Sequence, residues 1–119
     1  MANPNIRNVA TLIGNSVAQN ATTTFADFVS NAAASNTLYR ITTLSASNLD
    51  GTNAQNVSID FVRSSINYAI VRGVTIPAGS TLVPVTKDSS IYLKEGDKLQ
   101  VRASTNSNVQ IFCSFEELS

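Results

Sequence analysis

The chain has 119 residues, with 8 Lys+Arg against 8 Asp+Glu, and only 13% of it is charged. That length suits one domain burying roughly two-thirds of its unfolded surface, and the charge balance excludes the basic face that a nucleic-acid backbone requires. Histidine is absent and Cys113 is the single cysteine, which rules out a Ser-His-Asp or Cys-His site within one chain, a Cys/His zinc site and an intrachain disulfide.

The opening Met1-Ala2-Asn3-Pro4-Asn5-Ile6-Arg7 has no long apolar run behind it, so no secretory signal is expected. No stretch reaches the ~18–20 apolar residues of a membrane span. Synthesis in the cytoplasm is the expectation. Residues 1–7 are either a frayed terminus or an arm that orders against a neighbour. The whole chain, 1–119, reads as a single domain without internal repeats.

Period-two alternation dominates the rest of the chain. In chain order, strands are expected at 6–18 (broken near Gly14), 24–30, 38–47, 56–63, 67–76, 81–86, 90–94, 97–104 and 108–117. Val57, Ile59 and Phe61 alternate with Ser58 and Asp60. Leu99, Val101 and Ala103 alternate with Gln100 and Arg102, and Val109, Ile111, Cys113 and Phe115 with Gln110, Phe112 and Ser114. Such a pattern puts one row inside and one in water. Ile41 joins these inward rows as a core residue. Asn31–Asn36 reads as a loop or one short turn, because Asn and Ser flank the three alanines.

Turn clusters punctuate the runs at Asp50-Gly51-Thr52-Asn53, Pro77-Ala78-Gly79-Ser80, Glu95-Gly96-Asp97 and Asn106-Ser107-Asn108. Gly79 and Gly96 are expected to carry positive φ. Pro77 and Pro84 belong at strand ends or on an edge, since proline cannot donate to a ladder. The fold class is therefore all-β, an antiparallel β-sandwich of jelly-roll-like form, with at least seven strands and less than about one-tenth helix. The last two strands are expected to pair as a hairpin at Asn106-Ser107.

Few groups offer chemistry. Glu95 and Asp97 flank a turn, and Glu116 and Glu117 sit near the end; adjacent exposed carboxylates do not face each other across a cleft as glycoside hydrolysis requires, so they read as solvated surface. Asn48–Asn53 carries several oxygens but one carboxylate, Asp50, and an Asp-Gly turn explains it better than calcium. Cys113 reads as a small buried hydrophobe. Tyr39, Tyr68 and Tyr92 lie far apart in apolar strands and are expected to pack in the core or at its rim rather than form a sugar platform. The triplets Asn20-Ala21-Thr22 and Asn56-Val57-Ser58 match the glycosylation pattern, which carries no weight without a signal peptide. No catalytic, cofactor-binding or metal-binding residue is assigned, and no cofactor is expected.

The run Gly73-Val74-Thr75-Ile76-Pro77-Ala78-Gly79-Ser80-Thr81-Leu82-Val83, followed by Ser90-Ile91-Tyr92-Leu93-Lys94-Glu95-Gly96-Asp97-Lys98-Leu99-Gln100-Val101, resembles small β-sandwich virion proteins of tailed bacteriophages, of the marine and cyanobacterial phage type. The opening Met1–Pro4, the segment Ser47–Ala54 and the ending Cys113–Ser119 are similar to the same group. This resemblance implies a non-enzymatic structural protein of the virion, made in the host cytoplasm. Its first expectation is a capsid decoration (cement) protein that stabilises the shell, a homotrimer whose partners are itself and other virion proteins, above all the major capsid protein. The alternatives are a neck or tail component, or a carbohydrate-binding module for host attachment. Neither nucleic acid nor membrane is an expected partner.

Overall fold

A computed structural model describes residues 11–105 and 108–119. The arm expected at 1–7, and with it the start of the strand expected at 6–18, lies outside the described residues. Nine strands run in order: β1 (Leu12–Asn20), β2 (Ala26–Ser30), β3 (Leu38–Asn48), β4 (Gln55–Arg63), β5 (Ile66–Ile76), β6 (Thr81–Val85), β7 (Ile91–Leu93), β8 (Lys98–Ala103) and β9 (Val109–Leu118). The only helical element among the described residues is a 3₁₀ turn at Lys87–Ser89.

The strands form two antiparallel sheets. Sheet A runs β1-β9-β3-β6, with β7 pairing a second stretch of β3; sheet B runs β2-β8-β4-β5. The 3₁₀ turn interrupts what is otherwise one strand, so β6 and β7 count together and each sheet holds four. Successive strands alternate between the sheets, except at the β4–β5 hairpin. That is the winding of a jelly roll.

The interior is a product of alternation. Ile41, Leu44 and Ala46 of β3, Val57 and Ile59 of β4, Leu99 and Val101 of β8, and Val109, Ile111 and Cys113 of β9 are at most 1% exposed. They meet in one core, with Tyr39, Phe61 and Leu82 packed against its margin. Phe61, expected inside, is only half-buried. Its cross-strand partner Tyr68 is open to solvent, and Arg63 lies over the Phe61 ring at 4.9 Å. The phase of β4 is right, and Phe61 packs against the margin of the core beside the fully buried Leu99.

The expected β8–β9 hairpin is wrong. β8 pairs with β2 and β4, while β9 pairs with β1 and β3. Alternation identifies the buried face of a strand, and that face is equally buried beside a neighbour or across the core from it. What fixes the crossing is the connection between β1 and β2, which passes over the same end of the sandwich. Ala21 N donates to Val109 O at 2.8 Å on one sheet, and Ala103 N to Thr22 O at 2.8 Å on the other.

Turn chemistry bears out the punctuation. Gly79 and Gly96 adopt φ of 69° and 86°, each in a turn closed by a backbone bond, Ser80 N to Pro77 O at 3.0 Å and Asp97 N to Lys94 O at 3.0 Å. Pro77 comes directly after the end of β5, and Pro84 lies on the end strand β6.

Candidate functional site

The polar side chains that burial withdraws from water gather in three places. At one end of the sandwich, Asn31 is 1% exposed and tethers three segments. Its Nδ2 donates to Thr37 O at 2.8 Å and Leu93 O at 2.9 Å, while its Oδ1 accepts from Ser35 Oγ at 2.6 Å. Beside it, Asp97 is 3% exposed. The Asp97 carboxylate accepts from Arg63 Nη2 at 2.6 Å, Arg63 Nε at 3.0 Å and Lys94 N at 2.8 Å. This corrects the reading of Asp97 as a solvated turn carboxylate. The hydrogen bond to Asp97 holds the Arg63 proton more tightly than usual. Glu95 accepts from Asn36 N at 2.6 Å and so joins the same knot of loops.

At the opposite end, Asn48 is 2% exposed and bridges carbonyls of two loops, donating to Asn53 O and Ile76 O, both at 3.0 Å. The Asp50 carboxylate faces donors: Thr52 N at 2.8 Å, Asn53 N at 3.0 Å and Gln55 Nε2 at 3.3 Å. The backbone bonds from Asn53 and Thr52 lower its pKa. A carboxylate ringed by N–H groups caps a turn, whereas a calcium ligand needs further oxygens around it. Among the described residues no cluster of three or more His, Cys, Asp or Glu is grouped to hold a metal ion.

The third place is the outer face of sheet B, where a hydrogen-bonded ladder crosses all four strands. Asp27 on β2 accepts from Gln100 Nε2 on β8 at 2.9 Å and pairs with Lys98 at 3.2 Å. Asn67 on β5 donates to Gln100 Oε1 at 3.2 Å and to Asp60 Oδ2 on β4 at 3.1 Å. Arg72 closes the run on Asp60 at 3.1 Å. Asp60 itself is 1% exposed although it lies on the outward phase of its strand. Next to the ladder, Asn56, Ser58, Gly73, Arg102 and Ser104 line a shallow polar groove of about 320 Å³. The Arg102 guanidinium is held over the Phe25 ring at 4.5 Å. Ser58 Oγ accepts from Gly73 N at 2.9 Å, and Ser104 Oγ donates to Gln55 Oε1 at 2.8 Å, so both hydroxyls also secure the fold.

The remaining candidates are scattered. Glu116 pairs with Arg40 at 3.2 Å, and Glu117 accepts from Asn15 at 3.1 Å. Cys113 is buried, and burial pushes its thiol up to about 12, so it packs as a small hydrophobe. Tyr39 stacks on Phe115 with ring centres 5.1 Å apart. Tyr68 and Tyr92, expected to pack, are instead 53% and 40% exposed, on different sheets. No two of the three tyrosines share a strand.

Neither a protein-family model nor a curated protein matches the sequence. Among solved structures, the chain is similar to a protein of the Bacillus endospore appendages, described as a family of disulfide-linked pili. That match has 18% identity, covers 92% of this chain and 88% of the other, and has a TM-score of 0.52. A pentameric capsid protein isolated from metagenomic phage sequences, solved twice, aligns with 87% of this chain at 13% identity, over 62% and 60% of its own length, with TM-scores of 0.43 and 0.42. At 18% identity, what the appendage protein shares with this chain is the sandwich fold.

Proposed function

We propose that the chain is a non-enzymatic structural subunit of a tailed-phage particle, and within it a capsid decoration protein that acts as a homotrimer on the major capsid protein. The observation that supports this most is the disposition of its buried polar groups. The carboxylates withdrawn from water, Asp60 and Asp97, are neutralised by Arg72 and Arg63. The buried amides of Asn31 and Asn48 tie loops together. These groups close the sandwich rather than face a substrate, so the work falls to the surface. The phage-like phrases between Gly73 and Val101 supply the setting.

A low-charge subunit bound at several points gains attachment because each later contact is intramolecular. With 13% charged residues, those contacts are mainly apolar and hydrogen-bonded, so raised salt detaches the protein only weakly. The decisive experiment images the particle that carries the chain. Density at three-fold and quasi-three-fold positions over the shell is the expected result. Density in one axial ring, with none on the shell, would replace decoration with a neck or tail role. No density at all would remove the particle reading.

A further inference from the structure

The outer face of sheet A is built unlike the rest of the surface. From Ser16 to Asn20 on β1, Gln110 to Ser114 on β9, Thr43 to Asn48 on β3 and Thr81 to Val85 on β6 there is no Asp, Glu, Lys or Arg. Arg40 and Glu116 lie beyond one end of this field and are paired with each other. Near its middle stands Phe112, 44% exposed. Its cross-strand neighbours are Ala18 on β1 and Ser45 on β3. Both neighbours are small, and the ring is left partly open to solvent. Val83, 46% exposed, adds a second apolar position on β6. Charge depletion around a central aromatic is the composition of an interface core.

We infer that this face pairs with the same face of a second copy, about a two-fold axis with Phe112 near it. The argument for the occupant is charge. A charged partner would lose hydration here and find no counter-charge. The chain's other broad face, on sheet B, carries Asp27, Lys98, Asp60, Arg72 and Arg102, so stacking sheet A on sheet B would bury ions against neutral groups. The neutral field of sheet A matches itself, and a self-matching patch makes an isologous pair. Two sheets packed face to face keep their strands within about 30° of each other, which brings the two Phe112 rings together. Four strands at ~4.8 Å and about six residues at ~3.4 Å give a footprint on the order of 400 Å². That is below the ~800 Å² per partner of a standard stable interface, so the pair is weak alone and accumulates where copies are held side by side. A two-fold contact is separate from any three-fold one, and it does not depend on the particle reading.

Analytical ultracentrifugation of the full chain tests it, over protein concentrations from ~10 μM to ~1 mM. The expected result is a monomer–dimer equilibrium within that range, the trimer of the decoration role forming only on the shell. Phe112→Lys weakens it at least ~10-fold, Ala18→Lys weakens it in the same direction, and Ala69→Lys, on exposed β5, leaves it unchanged. Both test positions are exposed, and cooperative thermal unfolding confirms that the variants remain folded. A monomer at every concentration, a trimer without dimer, or a dimer that Phe112→Lys and Ala18→Lys leave intact overturns the proposal. A trimer alone would do so while leaving the decoration role standing.

Discussion

The two sheets bury their inner faces in the same way and treat their outer faces in opposite ways. Sheet B binds its outward polar side chains to one another, from Asp27 through Gln100, Asn67 and Asp60 to Arg72. On sheet A the outward Ser, Thr and Gln side chains form no such chain among the described residues, only separate bonds such as Ser47 to Thr81 at 3.0 Å beside the Arg40–Glu116 pair. A face saturated by its own bonds has little left to offer a partner. A neutral and unsaturated face has lost nothing to itself, and can give its hydrogen-bonding groups and its aromatic ring to a neighbour. The same alternation of residues thus yields one face that holds the fold and one free to hold something else.

The inner faces should be equivalent, and that is the largest effect to check. Ile59 at the centre of sheet B and Ile111 in sheet A are both fully buried. Each replaced by alanine should cost about 2–5 kcal/mol in denaturant unfolding. A loss below ~1 kcal/mol at either would mean that its sheet is not packed on the common core. Phe61→Ala belongs lower, because its ring is only half-covered.

Ionisation should separate the sheets at opposite ends of the pH scale. Burial disfavours the thiolate of Cys113, on the inner face of sheet A, and pushes it up to about 12 from the 9.0 of an unburied thiol. The folded state therefore holds its proton more tightly. Stability is intact below about pH 9 and falls as the pH rises toward about 12, by at most ~1.4 kcal/mol per pH unit. Cys113→Ala should flatten that alkaline decline. On sheet B, hydrogen bonds from Gln100 and Lys98 lower the pKa of Asp27. Its contribution is present above the unfolded carboxylate value near 4 and is lost as the pH falls through the folded one. Because Asp27 is exposed, salt should blunt that acid effect.

The saturated face makes its own prediction. Arg72→Ala removes the guanidinium from Asp60, a carboxylate with 1% exposure, and leaves Asn67 as its remaining side-chain donor. The expected cost is about 1–3 kcal/mol, read by chemical denaturation. The same sheet also carries strain. Ser64 and Ser65 hold φ of 54° and 64° in the two-residue turn between β4 and β5, where glycine or asparagine is the usual occupant. Ser65→Gly should stabilise the fold by about 1 kcal/mol, and a loss instead would show that the serine side chain supports the turn.

How far these features could be read in advance depends on their range along the chain. Strand positions, the inward rows of β4, β8 and β9, and the positive φ at Gly79 and Gly96 are local, and alternation and turn chemistry exposed them. Sheet membership is not local: β8 and β9 resemble a hairpin because nothing in either strand encodes which sheet it joins. The Arg63–Asp97 pair spans 34 positions, and Asp97 in a Glu-Gly-Asp turn reads as solvated because its partner comes from the distant end of β4. Asp60 is nearer to being legible. A two-residue turn at Ser64–Ser65 puts Asp60 opposite Ala69 and two positions from Asn67. Counting back from that turn finds the bond to Asn67, although the irregular register beyond Asp60 hides Arg72. The neutral outer field of sheet A is present as the polar phase of β9, with Phe112 in it, and becomes a face only when β1, β3 and β6 are set beside it.

The smallest effect is the most direct measure of the contrast between the outer faces. Asn67 on sheet B and Ser45 on sheet A are both outward polar residues next to a neighbouring strand. Asn67 donates to Asp60 and to Gln100, so Asn67→Ala should cost roughly 0.5–1.5 kcal/mol in the isolated protein. Ser45 lies across from Phe112, with a half-exposed side chain. Ser45→Ala should change stability by no more than about 0.5 kcal/mol. Both variants, compared in the same denaturant series at a concentration where the chain is monomeric, isolate what each face contributes to the fold alone. Equal losses would mean that sheet A's polar groups are also committed to the fold, and the distinction between a closed face and an open one would collapse. A loss confined to Asn67 would leave Ser45 and its neighbours without a task inside the monomer.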